Sequence, residues 1–414
     1  MSKLEELIQQ YCPDGVEWMS LGDVCQKVFA GGTPTSSNSA YYGGDIPWLR
    51  SGEVNFNEIT STEKTITEEG YNSSSAKWIE KHSVLIALTG ATVARSAMTM
   101  IELTANQSVC ALTPKRDILY YRYLYYWVSK SYSQLKGMAQ GALTSLNLNI
   151  IKSFEIPIPP LPVQEEIVRI LDSFTELQAE LQAELQARLK QYEYYRDNLL
   201  SFNNLNRGGQ SKVEWKKLGD IAYQWYRGAG IKRDEVSEDG IPCIRYGEIH
   251  TTYNIWFDEC VSHTNESKQP AKKYADYGDI LFAITSEDIP FIGNSVAYLG
   301  NDRIMVGGDI VVMKHSQNPK YLSYALSTSD AVMQKGKGKV KSKVVHTSVP
   351  SLQEIVVPIP SLTEQQRIVD ILDRFDALTN DLTAGLPAEI EKRRQQYEYY
   401  RDKLLTFKRI NQYV

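Results

Sequence analysis

The side chains best placed to do chemistry in this chain are cationic rather than nucleophilic. Lys335, Lys337, Lys339, Lys341 and Lys343 alternate with other residues in the run KGKGKVKSK. As a strand they would share one face, and as a glycine-rich loop they can wrap a phosphate backbone. The plain alternative is a solvated charged loop. The matching stretch of the first half, 136–147, is polar and its one lysine is Lys136. Arg50 and Arg245 stand at equivalent positions after an Ile-Pro element. Arginine suits two-pronged contact with guanine, yet a shared position fits a structural salt bridge equally well. The stretches 89–96, with Arg95, and 285–294 follow apolar runs, where core strands would mount variable loops.

Covalent chemistry has little to work with. The chain holds no GxxxxGK[ST] or GxGxxG phosphate motif, no GxSxG elbow and no HExxH. The Asn/Asp-Pro-Pro-aromatic motif with which amino-methyltransferases hold a flipped base is also absent. Cys12, Cys25, Cys110, Cys243 and Cys260 are an odd set without a CxxC pair, which disfavours a disulfide framework or a zinc ribbon and fits a reducing cytosol. No apolar run reaches membrane-spanning length, and the charged opening MSKLEELIQQ lacks a signal core, so a cytoplasmic protein is expected. A net charge of −5 argues against a nucleic-acid partner when taken alone. Most of that excess lies on one helical segment, 161–206, leaving the other regions near neutral.

The elements that position these residues come in two copies. Val16–Asp23 (VEWMSLGD) recurs as Val213–Asp220 (VEWKKLGD), and Ile46–Glu53 (IPWLRSGE) as Ile241–Glu248 (IPCIRYGE). Pro157-Ile158-Pro159 returns as Pro358-Ile359-Pro360, and QYEYYRD at Gln191–Asp197 is repeated letter for letter at Gln396–Asp402. Each half opens with Gly-, Ser- and Thr-rich sequence carrying short apolar runs such as VLIAL at 84–88 and ILFAI at 280–284. These read as strands of a mixed α/β domain.

Each half closes with a long amphipathic helix. Ile167, Ile170, Leu171, Phe174, Leu177, Leu181, Leu185 and Leu189 make one stripe. Ile368, Ile371, Leu372, Phe375, Leu378, Leu382, Leu386 and Ile390 repeat it. Two such stripes can bury each other as an antiparallel coiled coil, and about 40 residues span roughly 60 Å. Pro162 suits the first helical position, and Thr363 with Gln366 fits a capping box. The first helix carries ELQA three times between Glu176 and Ala187; the second carries Gly385 and Pro387 instead, where a restart is expected with Pro387 first. The expected fold is α+β, a pseudo-twofold internal repeat of two similar mixed α/β domains joined by two pairing helices. The divisions fall at 1–156, 157–206, 207–356 and 357–414, alternating globular domain and helix.

These residues resemble the specificity subunit of type I restriction–modification systems. The likeness covers the whole chain. It rests on LIQQYCPDGVEW with LGDV, GGTP with YYGGDIPWLRSGEV at Gly31–Val54, PIPPLPVQEEIVRILD at Pro157–Asp172, and LPAEIEKRRQQYEYYRDKLLTF at Leu386–Phe407. The resemblance implies two target recognition domains, each reading half of a split, asymmetric site on double-stranded DNA. It implies helices that set the gap and dock two methyltransferase subunits carrying S-adenosylmethionine, with motor-nuclease subunits joining them. The chain itself would have no catalytic site, metal or cofactor. Candidate DNA contacts are then Gly32, Thr33, Pro34, Arg50, Arg95, Lys136, Arg245, Tyr246 and the five lysines, while Trp48 is expected to pack. The second half departs from the pattern, with Gly228-Ala229-Gly230-Ile231 opposite GGTP and Cys243 opposite Trp48, so the two domains should read different sequences. Tyr192, Tyr195, Arg196, Tyr397, Tyr400 and Arg401 of the paired YEYYRD segments are either coiled-coil packing or partner anchors.

Overall fold

The computed structural model describes residues 2–139, 145–201, 213–269, 271–339, 343–380 and 384–410. The chain divides into two compact units, one built from Met1–Leu181 with Ile390–Val414 and the other from Gln182–Glu389. The units follow contact rather than chain order, so each takes a section of both long helical segments.

The first unit is organised around a five-stranded sheet of β1 (Cys25–Ala30), β2 (Asn57–Ile59), β3 (Val84–Ala87), β4 (Ser96–Thr99) and β5 (Val109–Pro114), in the order β1-β5-β3-β4-β2. The second unit repeats it with β6 (Ala222–Arg227), β7 (Trp256–Phe257), β8 (Ile280–Ala283), β9 (Ser295–Tyr298) and β10 (Ile310–His315), in the order β6-β10-β8-β9-β7. In both sheets all neighbours are antiparallel except the last pair, which is parallel. Even the irregularity is copied. Register shifts between Cys25 and Lys27, and again between Ala222 and Gln224.

The central strands read as continuous apolar runs because both sheet faces are covered. Val84 and Ile86 join one core with Leu124 and Ile167, while Leu85 and Ala87 point into another with Leu49 and Val54. Ile280 and Phe282 pack with Leu322 and Ile368 in the second unit, and Leu281 and Ala283 with Ile244 and Phe257.

Helices α1 (Tyr121–Lys130) and α2 (Tyr132–Gly137) follow β5, and α4 (Pro319–Leu326) and α5 (Ser329–Gly336) follow β10. The long helix α3 (Leu161–Leu199) lies between them in sequence, and α6 (Leu362–Asn380) and α7 (Leu386–Leu404) form the C-terminal counterpart. The same polar fastenings recur in each unit. Tyr123 OH donates to Pro157 O and Tyr321 OH to Pro358 O; Tyr126 OH donates to Asp172 and Tyr324 OH to Asp373. Gln164 Nε2 donates to Pro159 O, as Gln365 Nε2 does to Pro360 O.

Helix ends differ in detail from expectation. α3 starts at Leu161 and α7 at Leu386, so Pro162 and Pro387 are each the second helical residue. Ser361, rather than Thr363, caps α6 by accepting from Glu364 N, and Gln366 bonds Asp370 and Asn318 instead. Leu382 lies outside the described residues. Among those described, no helix is long and apolar enough to cross a membrane.

Candidate nucleic-acid interface

The turn after β3 and its copy after β8 present the side chains that the sheet scaffold leaves variable. Each ends on a left-handed residue, Ala94 (φ 65°) or Gly293 (φ 70°). A non-glycine residue there is strained, and such strain persists only where the surroundings hold it. Phe56 (φ 55°) adds a second strained position beside Ala94, its amide donating to Ser96 O. Arg95 and Lys136 converge in this corner. Arg95 Nη1 donates to Asn55 Oδ1 at 2.9 Å, and Lys136 Nζ donates to Tyr132 OH at 3.1 Å. Lys136, with Arg95 behind it, draws the Tyr132 hydroxyl below its ordinary pKa. Phe56 packs edge-on against Tyr132, ring centroids 5.3 Å apart.

Arg50 and Arg245 are held alike. Each backbone amide donates to the carboxylate three residues on, Glu53 or Glu248, at 2.9 Å, closing a tight Arg-x-Gly-Glu turn. Arg50 also bonds Glu63 through its guanidinium, and Arg245 Nε lies 3.8 Å from Glu248 Oε1. The shared position is thus a structural ion pair, and a base contact by either arginine would have to break or share it. Arg245 and exposed Tyr246 nevertheless line a cleft of about 450 Å³ walled by Gly230, Gly247 and Gly308.

Several expected contact residues serve the interior instead. Gly32 is buried, its carbonyl accepts from Trp48 Nε1 at 3.0 Å, and a Cβ there would sit 2.3 Å from Ala76 N. Pro34 is buried as well and accepts from Tyr42 OH. Thr33 is tied to Gln107. Gly32 and Pro34 are therefore packed in the interior, while Thr33 stays partly exposed. Lys335 is the other correction. It is only 7% exposed, the last turn of α5 carries it inward, and its Nζ donates to Leu326 O at 2.8 Å and to Ser295 Oγ at 3.4 Å. Burial pulls this ammonium down to about 7. The alternation K-G-K-G-K hid a helix end that takes the first lysine out of the row. Lys337 and Lys343 are exposed and Lys339 partly so, while Lys341 lies outside the described residues.

On the helices, the YEYYRD tyrosines mostly pack within the chain. Tyr192 is buried and Tyr397 half-buried. The Arg196 and Arg401 guanidiniums lie over the Tyr192 and Tyr397 rings at 5.7 and 5.8 Å. Tyr400 stacks on Phe174 in the first unit and Tyr195 on Phe375 in the second, 5.4 and 5.3 Å between centroids. Each stack joins a Phe of one repeat to a Tyr of the other. Burial thus takes Tyr192 off the surface, while Tyr397 stays partly exposed. Tyr194 and Tyr399, which the sequence pattern passed over, stand 65% and 62% exposed.

Sequence reasoning also missed Asn55, His250 and the role of Asn294. His250 Nε2 lies 3.0 Å from Thr285 O, and its Nδ1 lies 3.4 Å from Asn294 Nδ2. The signal was available: these are repeat-equivalent positions, set by the matched Arg-x-Gly-Glu turns and central strands, at which the two halves disagree. Burial raises Cys25, Cys110, Cys243 and Cys260 to about 12, well away from the thiolate form. Among the described residues no His, Cys, Asp and Glu side chains group to hold a metal.

Against known proteins, the model of the type I restriction modification DNA specificity domain matches residues 13–191 and again 210–392. The chain is 32% identical over 411 residues to a putative type I restriction enzyme specificity subunit of Haemophilus influenzae, covering 95% of this chain and 96% of that one. It is 33% identical over 301 residues to the EcoR124I/EcoR124II specificity subunit of Escherichia coli, covering 69% and 70% of the two chains. In fold it resembles a chain from a solved type I restriction–modification system with a TM-score of 0.62 at 17% identity, over 95% of this chain and 98% of that one.

Proposed function

The chain belongs to the type I restriction–modification DNA specificity family, and from that premise we propose how its two units select DNA. It is the specificity subunit, not a catalytic one. Each unit reads one half of a bipartite, asymmetric site, the long helices fix the gap, and two methyltransferase subunits dock on them. S-adenosylmethionine is carried by those subunits, motor-nuclease subunits complete the complex, and the assembly works in the cytoplasm. The observation that carries this reading is the copied scaffold with uncopied loops. Strand order and register shift agree between the units, while the mounted residues differ, Arg95 against Asn294 and Asn55 against His250. A reader of two unlike half-sites needs that combination, since half-site spacing must match domain spacing while the contacts differ.

Phosphate contact falls to Lys337, Lys339, Lys341 and Lys343 in the second unit and to Lys136 in the first. Tyr194, Tyr195, Arg196, Tyr399, Tyr400 and Arg401 present the surface for the docked subunits. Mapping methylated adenines in genomic DNA with and without this gene tests the whole reading; a bipartite motif should vanish with the gene. Deleting Glu180–Ala183, one ELQA unit, removes roughly 6 Å of helix and should shorten the gap by about one to two base pairs at roughly 3.4 Å each. An unaltered gap in the deletion strain would overturn the spacer role.

A further inference from the structure

In both units the same two repeat positions meet beside the left-handed turn. Arg95 follows Ala94, and Asn294 follows Gly293. Their partners also correspond: Asn55 stands five residues after Arg50, and His250 five residues after Arg245. Arg95 Nη1 reaches Asn55 Oδ1 at 2.9 Å, and Asn294 Nδ2 reaches His250 Nδ1 at 3.4 Å. One geometric slot therefore holds two different chemistries.

The bonds within each slot decide which atoms remain for a ligand. In the second unit His250 Nε2 faces Thr285 O at 3.0 Å. A carbonyl can only accept, so Nε2 carries the proton and Nδ1 is the acceptor. The Asn294 amide must then turn its nitrogen toward His250. Its Oδ1 and its second N–H are left side by side, one acceptor next to one donor on a flat group. That pattern complements the N6 amino group and N7 of adenine in the major groove.

In the first unit Asn55 Oδ1 takes one of the five guanidinium hydrogens of Arg95. Arg50 and Arg122 are bound to carboxylates of Glu63, Glu58 and Asp172. Arg95 forms no ion pair among the described residues; its partners there are the neutral amide of Asn55 and the Tyr132 hydroxyl, which Lys136 also contacts. A guanidinium steadied by neutral groups keeps a two-pronged face for the O6 and N7 acceptors of guanine without first giving up an acid.

We propose that Arg95, positioned by Asn55, reads a G·C pair in one half-site, and that Asn294, positioned by His250, reads an A·T pair in the other. This rests on the two-unit DNA-reading function above. The test maps methylated adenines in cells carrying the full chain and its complex, comparing wild type with Arg95→Ala, Asn294→Ala and the exchange Asn294→Arg with His250→Asn. Arg95→Ala should relax one G·C position in one half-site about 5- to 100-fold and leave the other half-site intact. Asn294→Ala should do the same to one A·T position in the opposite half-site. The exchange installs the first unit's pair and should convert that A·T position to G·C, which decides the matter even where an alanine variant leaves no methylation. An unchanged motif, or one substitution altering both half-sites, overturns the proposal while the DNA-reading function stands. A wild-type motif that is not split in two overturns that function and the proposal with it.

Discussion

Leu135 and Lys335 occupy the same place in two copies of one scaffold. Each closes a short helix after the sheet, and each follows a buried small residue four positions earlier, Ser131 or Ala331. Leu135 is fully buried in the core of the first unit. Lys335 is buried too, its stem 3.5 Å from where a Cβ of Gly293 would lie, and its ammonium bonded to Leu326 O and Ser295 Oγ. In the first unit Ser96, the counterpart of Ser295, bonds Ser129 at 2.8 Å instead. A core position thus accepts a cation where neighbouring oxygens can receive it. Residue type alone does not say which way the side chain turns.

Substitutions at this pair give the largest expected effects. Leu135→Lys should destabilise the first unit by more than about 4 kcal/mol, since it puts an ammonium into a fully buried apolar core. Thermal unfolding of the variant would measure it, and a near-neutral result would mean the two positions differ less than their surroundings suggest. Lys335→Met should instead stabilise the second unit by about 1–4 kcal/mol near neutral pH. Its pH dependence has a definite sign. The folded lysine titrates near 7 and the unfolded one near about 10.4, so the unfolded chain binds more protons between those values. Wild-type stability should therefore rise with pH through that window and close the gap to Lys335→Met. A gap constant from pH 6 to 9 would contradict the buried-cation assignment.

Where the units agree, matched losses are expected. Tyr123→Phe and Tyr321→Phe each strand a buried proline carbonyl, and each should cost about 1–3 kcal/mol by denaturant unfolding. A marked inequality would show that the shared fastening carries different weight in the two copies. The smallest effects concern the surface. Lys337→Ala with Lys339→Ala should weaken binding to all duplexes alike and reduce the salt slope by up to about one unit per lost contact, whereas Lys335→Ala should leave that slope unchanged. On the helices, Tyr194→Ala with Tyr399→Ala should reduce co-purification of the methyltransferase subunits, and unimpaired assembly would return YEYYRD to packing alone.

Much of the scaffold was legible because a duplicated sequence is read twice. The apolar runs at 84–88 and 280–284 became central strands, and the two stripes became helices that pair by Phe-on-Tyr stacking. The candidate site was less legible. GGTP entered through the family resemblance, but Gly32 is glycine because the Ser75–Ala76 backbone leaves no room for a side chain. Arg50 and Arg245 attracted a base-reading role by residue type, while their shared position equally suited the structural turn that both halves require. The informative positions were those that fail to match, and Asn55, Asn294 and His250 gained meaning only once hydrogen bonds joined residues about 40 positions apart.

Periodicity and repetition in the chain sufficed to settle the architecture, because hydrophobic spacing acts locally and each half independently demands the same elements. Exposure, tautomer and pairing belonged to the tertiary structure. Whether a lysine faces solvent, which nitrogen of His250 holds a proton and which arginine is free of a carboxylate depend on neighbours supplied by distant strands and turns. Burial and hydrogen bonding are properties of an enclosure, and the enclosure exists only when the chain has closed around it.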